Sequence, residues 1–489
     1  MKNYVLRNYL VALVASMGMA MFGYDGTMFS SIQIFENWKT YFNSPNPANV
    51  GAVTTGYSVG AVVFGFSISP VVSDKLGRKW SIGSGAALVI VAAFVMTFTP
   101  NIGGFIGGRV LAGAGQGMAM PAGPVYIEEI VFAKTRGRIM SLWQVFYSVG
   151  NTMSVYTSLG VSYSPYLGNW DWKIVTLLQV LVPIVLITGL IISPETPRWY
   201  VQHGKSEQAR KVMATVRAPE DVDLEIEEIE KAVRYEQERP QGSYKQLFFT
   251  PSYRRRLILA MIMNVGQQFS GIGSFTNYSG IILEEVFNDV NTVLIIKGVM
   301  AIVVFVCPFT AFFFIDKWGR RNLFVWCACG QAVCMFLVAT IVTQVPLTES
   351  GQHPIGVGIA VVVLKIAFHF FYGPGWGAGL WIWTSEIWPV SVRAHAVAIS
   401  SQCQQLANIV LGQAFPSFLA AADFYTFYFF MGCNMVMMAV AWFFVVETKG
   451  VPLEHIDRLF GETSHVVAVE DEKDGQMERS GSLGRQEND

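Results

Sequence analysis

The chain has 489 residues, of which 52% are hydrophobic and 14% charged, with a formal net charge of −1. Soluble domains carry roughly 25% charged residues, so this balance excludes an ordinary soluble protein, and the near-zero net charge argues against a nucleic-acid partner. A soluble protein of this length would divide into several domains, whereas a membrane protein of this length fits twelve spans of about 20 residues each, plus loops.

Taken in chain order, apolar runs predict spans near 8–31, 50–73, 81–98, 102–127, 139–160 and 173–193. A second set follows near 256–283, 293–315, 322–344, 355–385, 394–420 and 424–446. The first run is long enough to cross and lacks a convincing cleavage site, so it is expected to remain as a helix. Residues 194–254 carry charge at helical spacing (Glu225, Glu227, Glu228, Glu230, Lys231) and are expected to form short helices outside the membrane. Residues 451–489 are polar and rich in Glu, Asp, Ser and Gly, a composition that predicts disorder. The domains read as a six-helix bundle 1–193, a helical linker 194–254, a second six-helix bundle 255–450 and the tail 451–489.

Lys and Arg gather around 74–80, 134–138, 194–256 and 316–321, with Arg393 and Lys449, while the opposite loops offer only Lys39, Lys173 and Lys297. Positive loops stay in the cytoplasm, so both termini are expected there. The six cysteines all lie in predicted spans of the second half and form neither an extracellular disulfide pattern nor a zinc pattern. The sequon Asn277-Tyr278-Ser279 falls inside a span and is not expected to be glycosylated.

Short charged phrases occur twice, in the same order. Asp74-Lys75-Leu76-Gly77-Arg78-Lys79, Glu129 with Arg136, and Glu195 in the first half answer to Asp316-Lys317-Trp318-Gly319-Arg320-Arg321, Glu386 with Arg393, and Glu447. The offsets are 242 (316−74), 257 (386−129) and 252 (447−195). Two similar membrane halves are a common transporter architecture, with the substrate site at their interface.

With these phrases, others name a family. Gly23-Tyr24-Asp25, Gly108-Arg109, Pro124-Val125-Tyr126-x-x-Glu129, Pro194-Glu195-Thr196-Pro197-Arg198, Gln267-Gln268-Phe269-Ser270-Gly271, Trp381 with Ser385-Glu386, and Glu447-Thr448-Lys449-Gly450 follow in order. Over residues 8–455 the chain resembles the sugar porters of the major facilitator superfamily. The resemblance implies an all-α membrane protein with the major facilitator fold, twelve transmembrane helices in two pseudo-symmetric six-helix bundles, and a cytoplasmic helical linker. It implies a proton-coupled importer of a sugar (hexose, disaccharide or polyol) working by alternating access at the plasma membrane. The expected partners are a small-molecule sugar or polyol, protons and the lipid bilayer, with the chain acting as a monomer. No cofactor or metal is expected. An enzyme is not expected either, since Gly113-Ala114-Gly115-Gln116-Gly117 reads as helix-packing glycine rather than a phosphate loop.

Three groups of residues carry the implied mechanism. Asp74, Arg78, Glu129, Arg136, Glu195 and Arg198, with Asp316, Arg320, Glu386, Arg393 and Glu447, would close the cytoplasmic side in one state and separate in the other; helix capping and topology are the plainer alternative. Asp25 and Arg109 lie at membrane depth, where charged residues are rare, paired and functional. They would form a proton switch, the alternative being a static pair anchoring span 1 to span 4. Gln144, Gln267, Gln268, Tyr278, Trp381 and Asn408 would contact the substrate through amides and aromatic faces, the alternative being interhelical hydrogen bonding and packing.

The chain also departs from the family. Gly273 stands where an Asn is usual, and Gln404-Gln405 replaces the usual Asn-Trp pair ahead of Asn408. Thr276-Asn277 replaces two aromatics before Tyr278. Lys365 and His369 form an unusual pair four residues apart, read as a snorkelling Lys and a hydrogen-bonded core His. These departures open a second substrate class, a non-sugar polyhydroxylated metabolite such as a cyclic acid like quinate. A non-transporting sugar sensor is a third reading.

Overall fold

In the computed structural model, which describes residues 3–132, 136–164, 166–238, 244–287, 289–348, 353–388 and 390–449, there is no strand among the described residues. The first half consists of α1 (Asn3–Ile32), α2 (Pro47–Lys75), α3 (Arg78–Phe98), α4 (Ile102–Ile130), α5 (Arg136–Ser162) and α6, in two pieces (Trp170–Leu178 and Leu181–Ile192). Four shorter helices follow: Pro197–Gln202, Ser206–Val216, Val222–Glu238 and Tyr244–Phe249. The second half begins with α7, in three pieces (Pro251–Phe269, Ile272–Asn277 and Ser279–Phe287), then α8 (Val290–Trp318) and α9 (Arg320–Gln344). It ends with α10 (Ile355–Glu386), α11 (Val390–Ala422) and α12 (Thr426–Phe444). The twelve elements fall on the twelve apolar runs, and the expected disordered tail lies outside the described residues.

Local chemistry fixes several starts. Asn46, Asn101 and Asp289 each accept a hydrogen bond from the backbone N–H three residues on, at 2.8, 2.7 and 2.8 Å, capping α2, α4 and α8. By length and apolarity alone, seven stretches of the described chain could cross a membrane, one of them covering α11 and α12 together. The helices α4, α5, α7 and α8 fall outside that set; α4 and α7 carry polar residues, Arg109 and Gln116 in one and Arg256, Asn264, Gln267 and Gln268 in the other, and these are buried.

Glycine sets the packing of the first half. A Cβ at Gly113 or Gly117 of α4 would overlap the carbonyls of Tyr57 or Ala61 on α2, and one at Gly115 the carbonyl of Gly85 on α3. Gly23 and Gly150 do the same for α1 against α5. Small residues let membrane helices approach to backbone contact, which is the role expected for the 113–117 segment.

Three helices are interrupted. α6, read from sequence as one span, breaks at Gln179-Val180 because Pro183 has no N–H and its ring crowds the carbonyl four residues earlier. α7 breaks at Gly271, whose φ of 91° favours glycine. In α10 the segment Gly373–Gly379 (GPGWGAG) widens to π-type turns, a local expansion found often at functional sites.

The linker helices dock under the first half. Ala209, Met213, Val216 and Ile226 join Ile127 and Ile130 of α4 in one buried cluster. Asn8 donates to the Val216 carbonyl at 2.6 Å, and Arg217 reaches the Ile130 carbonyl at 2.8 Å. This end of the molecule is the linker face; the other is the far face. Between the halves, described side-chain bonds run from mid-depth to the far face. Asn408 reaches Ser58, Thr55 the Ile409 carbonyl, Gln413 the Ala48 carbonyl, Gln33 the Asn277 carbonyl, and Lys39 pairs with Glu284 at 2.6 Å.

Candidate substrate and coupling site

The break in α7 places a cluster of amides between the halves. Gln267 is 1% exposed, and its Nε2 donates to the Trp376 carbonyl at 2.6 Å, tying the end of the first α7 segment to the wide turns of α10. Gln268 donates to Gln267 Oε1 at 3.4 Å. One turn on, Gly273 faces the rest of the cluster: a Cβ there would stand 3.1 Å from Asn408 Oδ1 and 3.3 Å from Gln268 Oε1. Asn408 in turn makes a long contact, 3.5 Å, with the Ser58 hydroxyl of the other half. Gln404, one turn before Asn408, is buried, and its Oε1 has no partner among the described residues. Gly273 therefore lets the amides of Gln268 and Asn408 approach closely, and a side chain there would press on both.

Tyr278 is fully buried, stacks on Phe415 at 5.3 Å and donates its hydroxyl to the Gly412 carbonyl at 2.5 Å, so in this conformation it ties α7 to α11. Trp381 is 46% exposed, a turn beyond the wide segment of α10. The side chain of Gln144 lies outside the described residues; its neighbour Tyr147 packs against Phe22 of α1 at 5.4 Å.

Asp25 and Arg109 come together but not as a direct ion pair. Asp25 is fully buried, and neither carboxyl oxygen has a hydrogen-bond partner among the described residues. Arg109 is 3% exposed, donates to the Asp25 backbone carbonyl at 3.3 Å and to the Val53 carbonyl at 3.4 Å, and lies over the Tyr57 ring at 4.5 Å. A cation over an aromatic face keeps part of its stabilisation without a carboxylate. The two side chains are thus neighbours that do not bond to each other directly.

At the linker face the repeated phrases form two matching clusters, each within one half. Arg78 pairs with Glu129 at 3.2 Å and also reaches Gln202 of the linker. Arg320 grips Glu386 with two nitrogens, at 3.2 and 2.8 Å, and Thr448 donates to the same carboxylate. Glu195 accepts the backbone N–H groups of Lys79 and Thr196 at 3.0 and 2.9 Å. Glu447 accepts those of Arg320 and Arg321 at 2.9 and 3.0 Å. These two carboxylates cap the starts of α3 and α9, where the exposed N–H groups favour an anion. Burial pushes the Glu195 carboxyl above the ordinary glutamate range, against the pull of its two N–H donors.

The other members of the network differ in setting. Asp74 is exposed, and its backbone carbonyl accepts Trp199 Nε1 at 2.8 Å. Arg393 donates to the Trp388 carbonyl at 3.3 and 3.1 Å, and Arg198 lies in the first linker helix. The side chains of Arg136 and Asp316 lie outside the described residues. The described pairs fasten helices of the same half rather than bridging the halves.

Two lysines depart from the sequence reading. Lys297, counted there with the loop cations, is 6% exposed inside α8 and donates to Ser30 and Ser31 of α1 at 2.9 and 2.7 Å. Its place within the run 293–315 was the available signal. Lys365 does not snorkel: it is 3% exposed, with its Nζ over the Phe275 ring at 5.3 Å. Tyr57, which supports Arg109, went unrecognised because an aromatic in a span carries no distinguishing pattern.

A family model described as "Sugar (and other) transporter" matches residues 11–460. Among curated relatives, a probable quinate permease of Aspergillus flavus is 29% identical over 473 residues, covering 92% of this chain and 88% of the relative. The quinate permease of Emericella nidulans is 28% identical over 481 residues (94% and 89%), and the sugar transport protein MST7 of Oryza sativa subsp. japonica 25% over 398 (80% and 76%). Among solved structures, the inward-open xylose transporter XylE of E. coli aligns with a TM-score of 0.78 at 22% identity, covering 92% of this chain and 99% of that one. The proton:xylose symporter XylE bound to 6-bromo-6-deoxy-D-glucose aligns with a TM-score of 0.71 at 23% identity (93% and 99%). The fold is that of the major facilitator superfamily, and the similar proteins are membrane transporters, not enzymes.

Proposed function

The chain belongs to the sugar (and other) transporter family, and we propose that within it the protein is a proton-coupled importer of a sugar or polyol, working by alternating access. The observation that carries this reading is the amide cluster of Gln267, Gln268 and Asn408 at the seam between the halves, gathered around Gly273. Hydroxyl groups need paired donors and acceptors, and an amide left unmet in an apolar seam is costly. The aromatic face for the sugar ring falls to Trp381, and Gln144 is assigned to the same site.

The coupling step is assigned to Asp25 and Arg109. A proton on Asp25 removes the carboxylate charge and leaves Arg109 on Tyr57 and backbone carbonyls; loss of the proton draws Arg109 to the carboxylate. Asp25 lies in α1 and Arg109 in α4, and substrate entering between the halves bears on α1. The far face is held by Lys39–Glu284 and its neighbours, and opening of the seam toward the linker face is assigned to this state of the cycle. Closing that face for the opposite state is assigned to the repeated charge clusters. The cationic linker face is placed in the cytoplasm and the protein at the plasma membrane, as a monomer.

A second reading is favoured by Gly273 and Gln404-Gln405, and by relatives whose names carry quinate: the substrate is a polyhydroxylated cyclic acid rather than a hexose. The experiment is uptake of labelled hexoses, pentoses, disaccharides, polyols and a cyclic hydroxy acid into proteoliposomes. Saturable uptake of one class selects the reading; a folded protein that takes up none refutes both.

A further inference from the structure

Among the described residues in the membrane-depth parts of α1, α4, α8 and α10, the buried charged side chains are Asp25, Arg109, Lys297 and Lys365. That is three cations to one acid. Buried ammonium groups are expensive unless paired or put to use. Arg109 is satisfied by carbonyls and the Tyr57 ring. Lys297 has two serine hydroxyls and Lys365 an aromatic face, and among the described residues no carboxylate lies within ion-pair distance of either.

Their position ties them to the substrate site. Phe275, under Lys365, lies in the short α7 segment Ile272–Asn277. Gly273 of that same segment faces Gln268 and Asn408. Ser274 beside it is 4% exposed, and its hydroxyl has no partner among the described residues. Lys297 bridges to Ser30 and Ser31 at the seam between the halves. A neutral sugar gives this excess positive charge nothing to balance. A substrate carrying one negative charge offsets one of the two excess positive charges.

We propose that Lys365, with Lys297, binds the carboxylate of a polyhydroxylated acid whose hydroxyls meet Gln268 and Asn408. The proposal rests on the second substrate reading above and adds the residues that would enforce it. No covalent step is involved; the lysines position and select.

The test is equilibrium binding to the purified full-length protein in lipid nanodiscs, which does not depend on transport. The probes are a tetrahydroxycyclohexane carboxylate, its uncharged methyl ester, and glucose. The expected result is at least tenfold tighter binding of the acid than of the ester. Lys365→Gln and Lys297→Gln should each weaken the acid at least fivefold and leave the ester within about twofold, while Lys365→Arg keeps the preference for the acid. Wild-type protein that binds acid and ester alike, or Gln variants that weaken both equally, would overturn the assignment. Tight binding of glucose with no preference for the acid overturns the lysine proposal alone and leaves the sugar reading standing. Failure to bind any of the three overturns both.

Discussion

Replacing Gly319 by Ala attacks the start of α9 at a single atom. Gly319 has φ 79° and ψ 166°, a region close to glycine-only, which costs a side chain about 1–3 kcal/mol. The added Cβ would lie 2.8 Å from Glu447 Cδ and 3.1 Å from its Oε1. The carboxylate that caps Arg320 and Arg321 at 2.9 and 3.0 Å must then move. Losing one charge-assisted hydrogen bond costs about 1.5–3 kcal/mol, so the sum is about 2.5–6 kcal/mol. For a half of this size, at about 2–4 °C per kcal/mol, that lowers the melting midpoint by roughly 5–24 °C. The control is Gly432→Ala, mid-helix in α12 with nothing within 4 Å of the added atom, where Ala should be neutral or stabilising by about 0.5–1 kcal/mol. The assay is thermal unfolding of the detergent-solubilised protein by tryptophan fluorescence. A Gly319→Ala protein that melts with Gly432→Ala would refute the capping argument, and with it the matching role of Gly77 and Glu195.

Other outcomes follow from the same geometry. Arg320 and Glu386 are 12% and 21% exposed and bonded through two nitrogens, so a double-mutant cycle with Ala at both should give a coupling of about 1–3 kcal/mol; a value near zero would mark the pair as incidental. Because burial raises the Glu195 pKa above its ordinary 4.5, the folded protein holds that proton to higher pH than the unfolded chain does. The carboxyl's contribution is then fullest below about pH 4.5 and declines as pH rises through the folded value. Melting curves should show wild type losing ground to Glu195→Gln from about pH 4.5 upward, and a gap that moves the other way would contradict the sign. Gly273→Asn adds a side chain whose Cβ alone would stand 3.1 Å from Asn408 Oδ1 and 3.3 Å from Gln268 Oε1, and should shift selectivity toward neutral hexoses in competition binding; unchanged selectivity would place Gly273 outside the site.

The twelve spans were legible because apolar length is a strong signal, and the repeated phrases were legible because charges interrupt it. The break in α6 was not, although Pro183 was in view, because a proline in a span can bend a helix without dividing it. The wide turns of α10 depend on how Gly373–Gly379 packs against its neighbours, which no local pattern encodes. Motif spacing located Gln267, Tyr278 and Glu447 but not the direction of their bonds. Gln267 holds Trp376, Tyr278 holds Gly412, and Glu447 caps α9. Lys297 and Lys365 were the least legible, since burial of a long cationic side chain is decided by the surfaces that close over it.

The central claim is that Asp25 couples a proton to the movement of substrate through the seam. The direct measurement is uptake into proteoliposomes with and without an inward proton gradient, for wild type and Asp25→Asn, together with substrate exchange at equal pH. The account predicts gradient-driven accumulation by wild type, and by Asp25→Asn exchange without accumulation. Accumulation by Asp25→Asn that still rises with the gradient would contradict it.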